Sequence, residues 1–304
     1  MPESAFPRPD RFDAYWAGVL AELDSTPAEP EVEAIPLRET DFATMSGIRL
    51  TSIGPYRLYG YLGVPKGDGP FPALYWPPKY MSVHQMIPQG SANAIRSRFV
   101  TFSLAGRGQR NADKPFAAMF PGLLTEGIES PATYVFRGIA ADAVRGLEFL
   151  NSLEFVDRTR VAAIGNDVAM QALALRPMAT HLACTPELFL DSLAVAERAR
   201  TYPLEEYNDF LRSSPSARDA VAATLSCFDL RAFAPGVAAT TLIMAGPEGS
   251  ILGPEAIRPF TDSIRGETTV HASQRSGYKD GLYEERWVSE ALGFDAAIVP
   301  PHWR

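Results

Sequence analysis

A five-residue segment in the middle of the chain, Gly165-Asn166-Asp167-Val168-Ala169, has the spacing of a G-x-S-x-G turn with aspartate in the serine position. It follows the apolar run 161–164 and precedes 170–175, whose composition is helical. Strand, tight turn, helix is the arrangement that lifts one side chain above the end of a sheet, where it meets a bound molecule. A serine there attacks carbonyl carbon. An aspartate has three other roles open to it: covalent nucleophile, general base for a carbon-bound proton, or cap for its own helix. A helix N-terminus lowers a carboxylate pKa and weakens it as a base, whereas burial raises it.

The elements that must position this segment are legible from periodicity. Residues 11–23 read as a helix with Phe12, Tyr15, Trp16, Val19, Leu20 and Leu23 near one face. Residues 49–53 and 56–64 read as strands around Gly54-Pro55. Short apolar strands follow at 71–76, stopped by Pro77-Pro78, and at 99–104, followed by Gly106-Arg107-Gly108-Gln109. Residues 111–131 are irregular, and 134–153 form a strong amphipathic helix. After the 160–164 strand come a strand at 182–184, helices across 187–234, a strand at 241–245, a helix at 254–264, a strand at 268–271 and a last helix at 284–292. From Phe71 onward strands alternate with helices, which predicts an α/β fold with a mostly parallel sheet. One domain over 1–304 is expected, with a helix and β extension at 1–66 and the core at 67–304.

Bulk properties exclude more than they assign. The chain has 304 residues, 46% hydrophobic and 21% charged, enough for a sizeable core. A net charge of -8 argues against nucleic-acid binding. No apolar run approaches a membrane span, and the N-terminus lacks the regions of a signal peptide, so a cytoplasmic protein is expected. Cys184 and Cys227 sit in apolar surroundings as buried thiols; no metal-ligand spacing occurs, and no cofactor is expected.

Several further motifs, in order, carry a resemblance. Phe12-Asp13-x-Tyr15-Trp16 opens the chain, and 58–66 with 69–73 enter the sheet. Arg107-Gly108-Gln109, then Tyr134-x-Phe136-Arg137-Gly138-Ile139 with Asp142-x-Val144-Arg145, then Leu225-Ser226-x-Phe228-Asp229 follow. With the elbow, these resemble the acetyl xylan esterase / cephalosporin C deacetylase family over nearly the full length. The resemblance implies an α/β-hydrolase fold, an acetylated small-molecule substrate and a homo-oligomer formed partly through a β insertion matching 121–134.

It also implies where a Ser-His-Asp triad should stand, and the triad is missing. Its serine falls on Asp167, its acid on Gly249 with Glu248 beside it, and its histidine on Tyr278. The oxyanion loop reads Pro78-Lys79-Tyr80. Acylation then has neither nucleophile nor base. The expected remainder is an oxyanion site from the backbone N–H groups of Val168 and Tyr80. Asp167 is the candidate general base, with Lys79 or His84 as alternatives, and Lys79, Tyr80 and Tyr278 are candidate proton donors or carbanion stabilisers. Trp76 is expected near the pocket mouth. Arg107, Gln109 and Arg137 are expected to tie loops together beneath it. Each of these residues also has a plainer reading: His84 and Lys79 as solvated loop residues, Tyr278 as a wall aromatic. The chemistry that fits best is a lyase reaction, elimination of acetate from an acylated molecule with an acidic C–H. It resembles, in chemistry alone, the acetate-eliminating step of tetronate and spirotetronate antibiotic biosynthesis. A catalytically inactive esterase relative and an Asp-nucleophile hydrolase are the alternatives.

Overall fold

The computed structural model describes residue 6 and residues 8–80, 90–109 and 112–299, with backbone alone at 90–93. One nine-stranded sheet runs through it in the order β1-β2-β3-β5-β4-β6-β7-β8-β9. β1 (Glu31–Ala34), β2 (Ala43–Ser52) and β3 (Tyr56–Pro65) form an antiparallel extension, and β3 pairs antiparallel with β5 (Val100–Leu104). β4 (Phe71–Trp76), β6 (Val156–Asn166), β7 (His181–Thr185), β8 (Thr240–Ala245) and β9 (Thr268–Ala272) continue as a parallel sheet from β5. Parallel strands covered on both faces need continuous apolar runs. Val161-Ala162-Ala163 of β6, all fully buried, is such a run.

Alternation along the strands sorts the two layers. Ala73 and Tyr75 of β4, with Phe102 and Ala163, face one core. That core holds α1 (Phe12–Ser25), α2 (Val135–Ser152) and α3 (Asp167–Leu175) through Trp16, Leu147 and Met170. The succession α4 (Ser192–Ala196), α5 (Glu205–Ser213), α6 (Arg218–Leu225), α7 (Leu230–Phe233) and α8 (Pro254–Thr261) joins it through Val195, Tyr207, Val221, Phe233 and Phe260. Leu74, Ala162, Ala183 and Leu242 face the other core, closed by Val288 and Leu292 on and after α9 (Gly277–Ala291). Trp16 anchors the N-terminal helix. Its ring meets Phe228 and Phe233 edge-on at 5.3 and 5.4 Å, and its Nε1–H donates to the Cys227 carbonyl at 2.8 Å. Both cysteines are buried and free.

Two expectations about elements are corrected. The last helix begins at Gly277 rather than 284, so Tyr278 lies in its first turn. The reason is a capping cluster that composition does not advertise. Ser276 accepts the Lys279 N–H, while Asp280 accepts from Ser273 Oγ at 2.7 Å and the Gln274 N–H at 2.9 Å and pairs with His271 at 3.0 Å. The expected β insertion over 121–134 contains no strand. It is a run of turns with one 3₁₀ segment, Leu123–Thr125, closed by bonds such as Tyr134 N–H to the Ser130 carbonyl. Among the described residues, no helix is long and apolar enough to cross a membrane, and no group of His, Cys, Asp and Glu is arranged to hold a metal ion.

Candidate active site

β6 ends at Asn166 and α3 begins at Asp167, with no residue between them. Asn166 is extended, and its side-chain oxygen accepts the Val168 N–H at 3.3 Å. The backbone donor expected at Val168 is therefore already engaged as a helix cap rather than presented to a ligand. The turn is also relaxed. Among the described residues, the non-glycine residues with left-handed backbone are Glu29, Asp191 and Arg275, and Asp167 is not one of them.

Asp167 is completely buried. Its carboxylate is turned to the backbone that follows β7. Oδ2 accepts the Glu187 N–H at 3.0 Å and the Leu188 N–H at 3.1 Å, and Oδ1 accepts the Phe189 N–H at 2.8 Å. Burial raises its pKa from 3.8 to about 6, while the N–H groups of Phe189, Glu187, Asp167 itself and Leu188 pull the other way. Three consecutive amides pointing at one carboxylate make an anion nest filled by the protein's own side chain.

The open space lies to one side. A cavity of about 340 Å³ sits at the loops after β4 and β5, with Lys79, Tyr80, Arg107, Gln109, Phe116 and Phe136 on its wall. Neither Asp167 nor Tyr278 is on that wall. Tyr80 is buried, and its phenol O–H donates to the Glu206 carboxylate on α5. The second oxygen of Glu206 accepts the Leu124 N–H at 2.8 Å. Burial raises the Glu206 pKa, against the bonds from Tyr80 and Leu124 that lower it. Burial and the Glu206 carboxylate together push the Tyr80 phenol far up. Burial raises the pKa of half-buried Glu284 on α9, against the positive charge of exposed Lys79, which lowers it. Beside it, burial and then the charge of Glu284 raise Glu285 to about 7.

The remaining expected residues scatter. Tyr278 is exposed at the start of α9. Glu248 and Gly249 are exposed in the loop after β8. Trp76 is not at the mouth of this cavity. It alternates with Tyr75 onto the opposite face of the sheet, against the core closed by α9. His84 lies outside the described residues. Arg107 makes a bidentate pair with buried Asp142 at 2.8 and 2.6 Å and lies 4.8 Å over the Tyr56 ring. Gln109 accepts the Gly106 N–H at 3.0 Å, and Arg137 pairs with Glu22. Glu206, Glu284 and the 187–189 backbone were not legible as site elements. Glu206 lies in an acidic stretch of α5 whose other members, Glu205 and Asp209, pair with Arg212, and nothing in the sequence sets it apart.

Comparison with known proteins agrees with this architecture. The family described as Acetyl xylan esterase (AXE1) matches residues 2–270. Acetyl esterase Axe7A of Xylanibacter ruminicola is 23% identical over 208 residues, covering 64% of this chain and 47% of that protein, so the chain spans about half the length of this curated relative. The acetyl xylan esterase from Paenibacillus sp. R4 superposes with a TM-score of 0.82 at 19% identity, covering 95% of this chain and 99% of that one. Acetyl Xylan Esterase 1 from Thermoanaerobacterium sp. JW/SL YS485 gives 0.78 at 18% identity, covering 94% and 95%. The shared architecture is the α/β-hydrolase fold.

Proposed function

The chain belongs to the acetyl xylan esterase family, and from that premise we propose that it is a non-hydrolytic member which expels acetate from an acetylated small molecule by β-elimination. One observation carries the reading. Asp167, which the family resemblance aligns with the catalytic serine, is buried with its oxygens bound to the Glu187, Leu188 and Phe189 amides, while a separate cavity keeps Lys79 and Tyr80 on its wall. Serine acylation needs a nucleophile, a base and free oxyanion donors. None of these stands at Asp167, Tyr278 or Val168. Elimination needs a base near a C–H, a donor for the departing carboxylate and a cavity that excludes bulk water. A wall of lysine, phenol and amide beside Phe116 and Phe136 supplies groups of those kinds. The setting proposed is natural-product assembly of the tetronate or polyketide antibiotic type, with the protein acting as a homo-oligomer; light scattering tests the second point.

The test is product identity. β-Acetoxyethyl methyl ketone, incubated with the protein, should give methyl vinyl ketone and acetate faster than buffer does. Hydroxyethyl methyl ketone and acetate would mean hydrolysis. One observation favours the inactive-relative reading instead: the filled nest at Asp167 closes the ancestral reaction point. Ligand binding without turnover of any acetoxy ketone would support it. An Asp-nucleophile hydrolase requires a carboxylate oxygen aimed at substrate, and the amides of 187–189 hold both oxygens elsewhere.

A further inference from the structure

Resting on the elimination reading, we propose that Tyr80 and Glu206 are the proton-accepting pair of the cavity. Tyr80 takes the carbon-bound proton, and Glu206 receives the proton that Tyr80 gives up.

Geometry separates this carboxylate from Asp167. Both are buried, Glu206 with 4% of its surface exposed. The partners of Asp167 are backbone amides, which do not ionise. The partner of Glu206 Oε1 is a phenol O–H, a proton that can shift along the hydrogen bond, and that phenol belongs to a residue on the cavity wall. The other oxygen is fixed by the Leu124 N–H, next to Leu123, also on the wall. Glu206 thereby ties two walls of the cavity together and points one oxygen at Tyr80. The adjacent Tyr207, fully buried, turns its hydroxyl to Tyr134 at 3.5 Å, and Tyr134 donates to the Leu124 carbonyl at 2.9 Å, so the frame around the pair is closed.

The step balances. The C–H electron pair becomes the new C=C bond, the alkyl C–O bond breaks, and acetate leaves with that electron pair. The substrate proton goes to Tyr80 Oη as the phenol's own proton moves to Glu206 Oε1. Tyr80 ends neutral and Glu206 ends as a carboxylic acid, which returns its proton through Tyr80 to solvent. A free phenolate is never formed, which matters because burial and the neighbouring carboxylate both oppose one. Burial favours the protonated form of Glu206 that the step produces. Among the described residues, the ionisable groups around Glu206 are Tyr80, Tyr207, Tyr134, Tyr202 and Asp209; Asp209 raises the Glu206 pKa further. Glu206 acts through Tyr80 and is a positioning and relay residue rather than one that touches substrate.

The experiment follows β-acetoxyethyl methyl ketone by proton NMR across pH. Wild-type turnover should rise with pH as Glu206 ionises. Glu206→Gln and Tyr80→Phe should each lower it at least about 100-fold, and Glu206→Gln should lose the acid limb. Glu205→Gln, on the same turn but paired with Arg212 and away from the cavity wall, should match wild type. Either Glu206→Gln or Tyr80→Phe retaining wild-type turnover with an unchanged pH profile overturns the proposal. Wild-type protein that produces no methyl vinyl ketone counts against the elimination reading itself. The pair is then judged by ultraviolet difference titration of Tyr80, taken as protein with and without Tyr80→Phe. Ionisation at lower pH in the Glu206→Gln background supports the pair, and an unchanged titration overturns it.

Discussion

The Asp167 Oδ1 oxygen accepts the Phe189 backbone N–H at 2.8 Å, joining the start of α3 to the segment after β7. With Glu187 and Leu188 it turns what would be a reactive side chain into a loop anchor. Removing the carboxylate strands three inward-facing amide donors. Asp167→Ala should therefore lower unfolding stability by about 2–4 kcal/mol near pH 5, since each unsatisfied buried donor costs roughly 1–3 kcal/mol and some recover water. Urea denaturation measures it; a loss below about 0.5 kcal/mol would mean the nest contributes nothing.

The vacated nest should accept a replacement anion. Asp167→Ala should gain thermal stability in ~100 mM formate relative to chloride at equal ionic strength, by mass action on the folded state. Wild type should show no such difference. Equal response of both proteins would place the anion effect elsewhere.

Asp167 also gives stability a pH dependence of definite sign. Its folded pKa, about 6, lies above the ordinary 3.8, so the folded state holds a proton that the unfolded chain has released. Stability contributed by this group is fully present below about pH 4, falls as pH rises to about 6, and is lower by about 3 kcal/mol above that. Glu285, raised to about 7, acts in the same direction over a higher window. Asp167→Asn should flatten the part between about pH 4 and 6. An unchanged slope in unfolding free energy against pH would contradict the assignment.

On the cavity wall, Arg107 compensates the fully buried Asp142, and Gly138 leaves it room. A Cβ at Gly138 would stand 2.2 Å from the Arg107 guanidinium carbon. Arg107→Ala should lower stability by about 3–5 kcal/mol, because a buried charge is left without its partner. Gly138→Ala should lower it by about 1–3 kcal/mol. The double substitution should fall short of the sum, since both act on one contact.

Restoring serine alone should not restore an esterase. In Asp167→Ser the Val168 N–H still caps against Asn166, and the position that the family resemblance aligns with the histidine is an exposed tyrosine, Tyr278. p-Nitrophenyl acetate should show no burst with wild type or with this variant. A stoichiometric burst from either would overturn this view of the elbow.

Local patterns made the fold legible. The strand at 71–76, the helix over 135–152 and the strand–helix junction at 166–167 each follow from apolar runs and periodicity that belong to neighbouring residues. The strand–turn–helix that carries Asp167 was legible for the same reason, since β6 and α3 follow from those patterns. The orientation of Asp167 was not. It depends on amides about twenty residues away, and a backbone N–H has no letter in a sequence. Glu206 was hidden likewise: the partner that distinguishes it, Tyr80, is 126 residues distant. Trp76 was misplaced by a single step of strand alternation, which decides the face of the sheet.

The most direct measurement of the proposed function is the fate of oxygen when β-acetoxyethyl methyl ketone is turned over in oxygen-18 water. Elimination breaks the alkyl C–O bond, so acetate should carry no label and appear with one equivalent of methyl vinyl ketone. Acetate with one labelled oxygen, accompanied by the hydroxy ketone, would show acyl transfer to water and contradict the account.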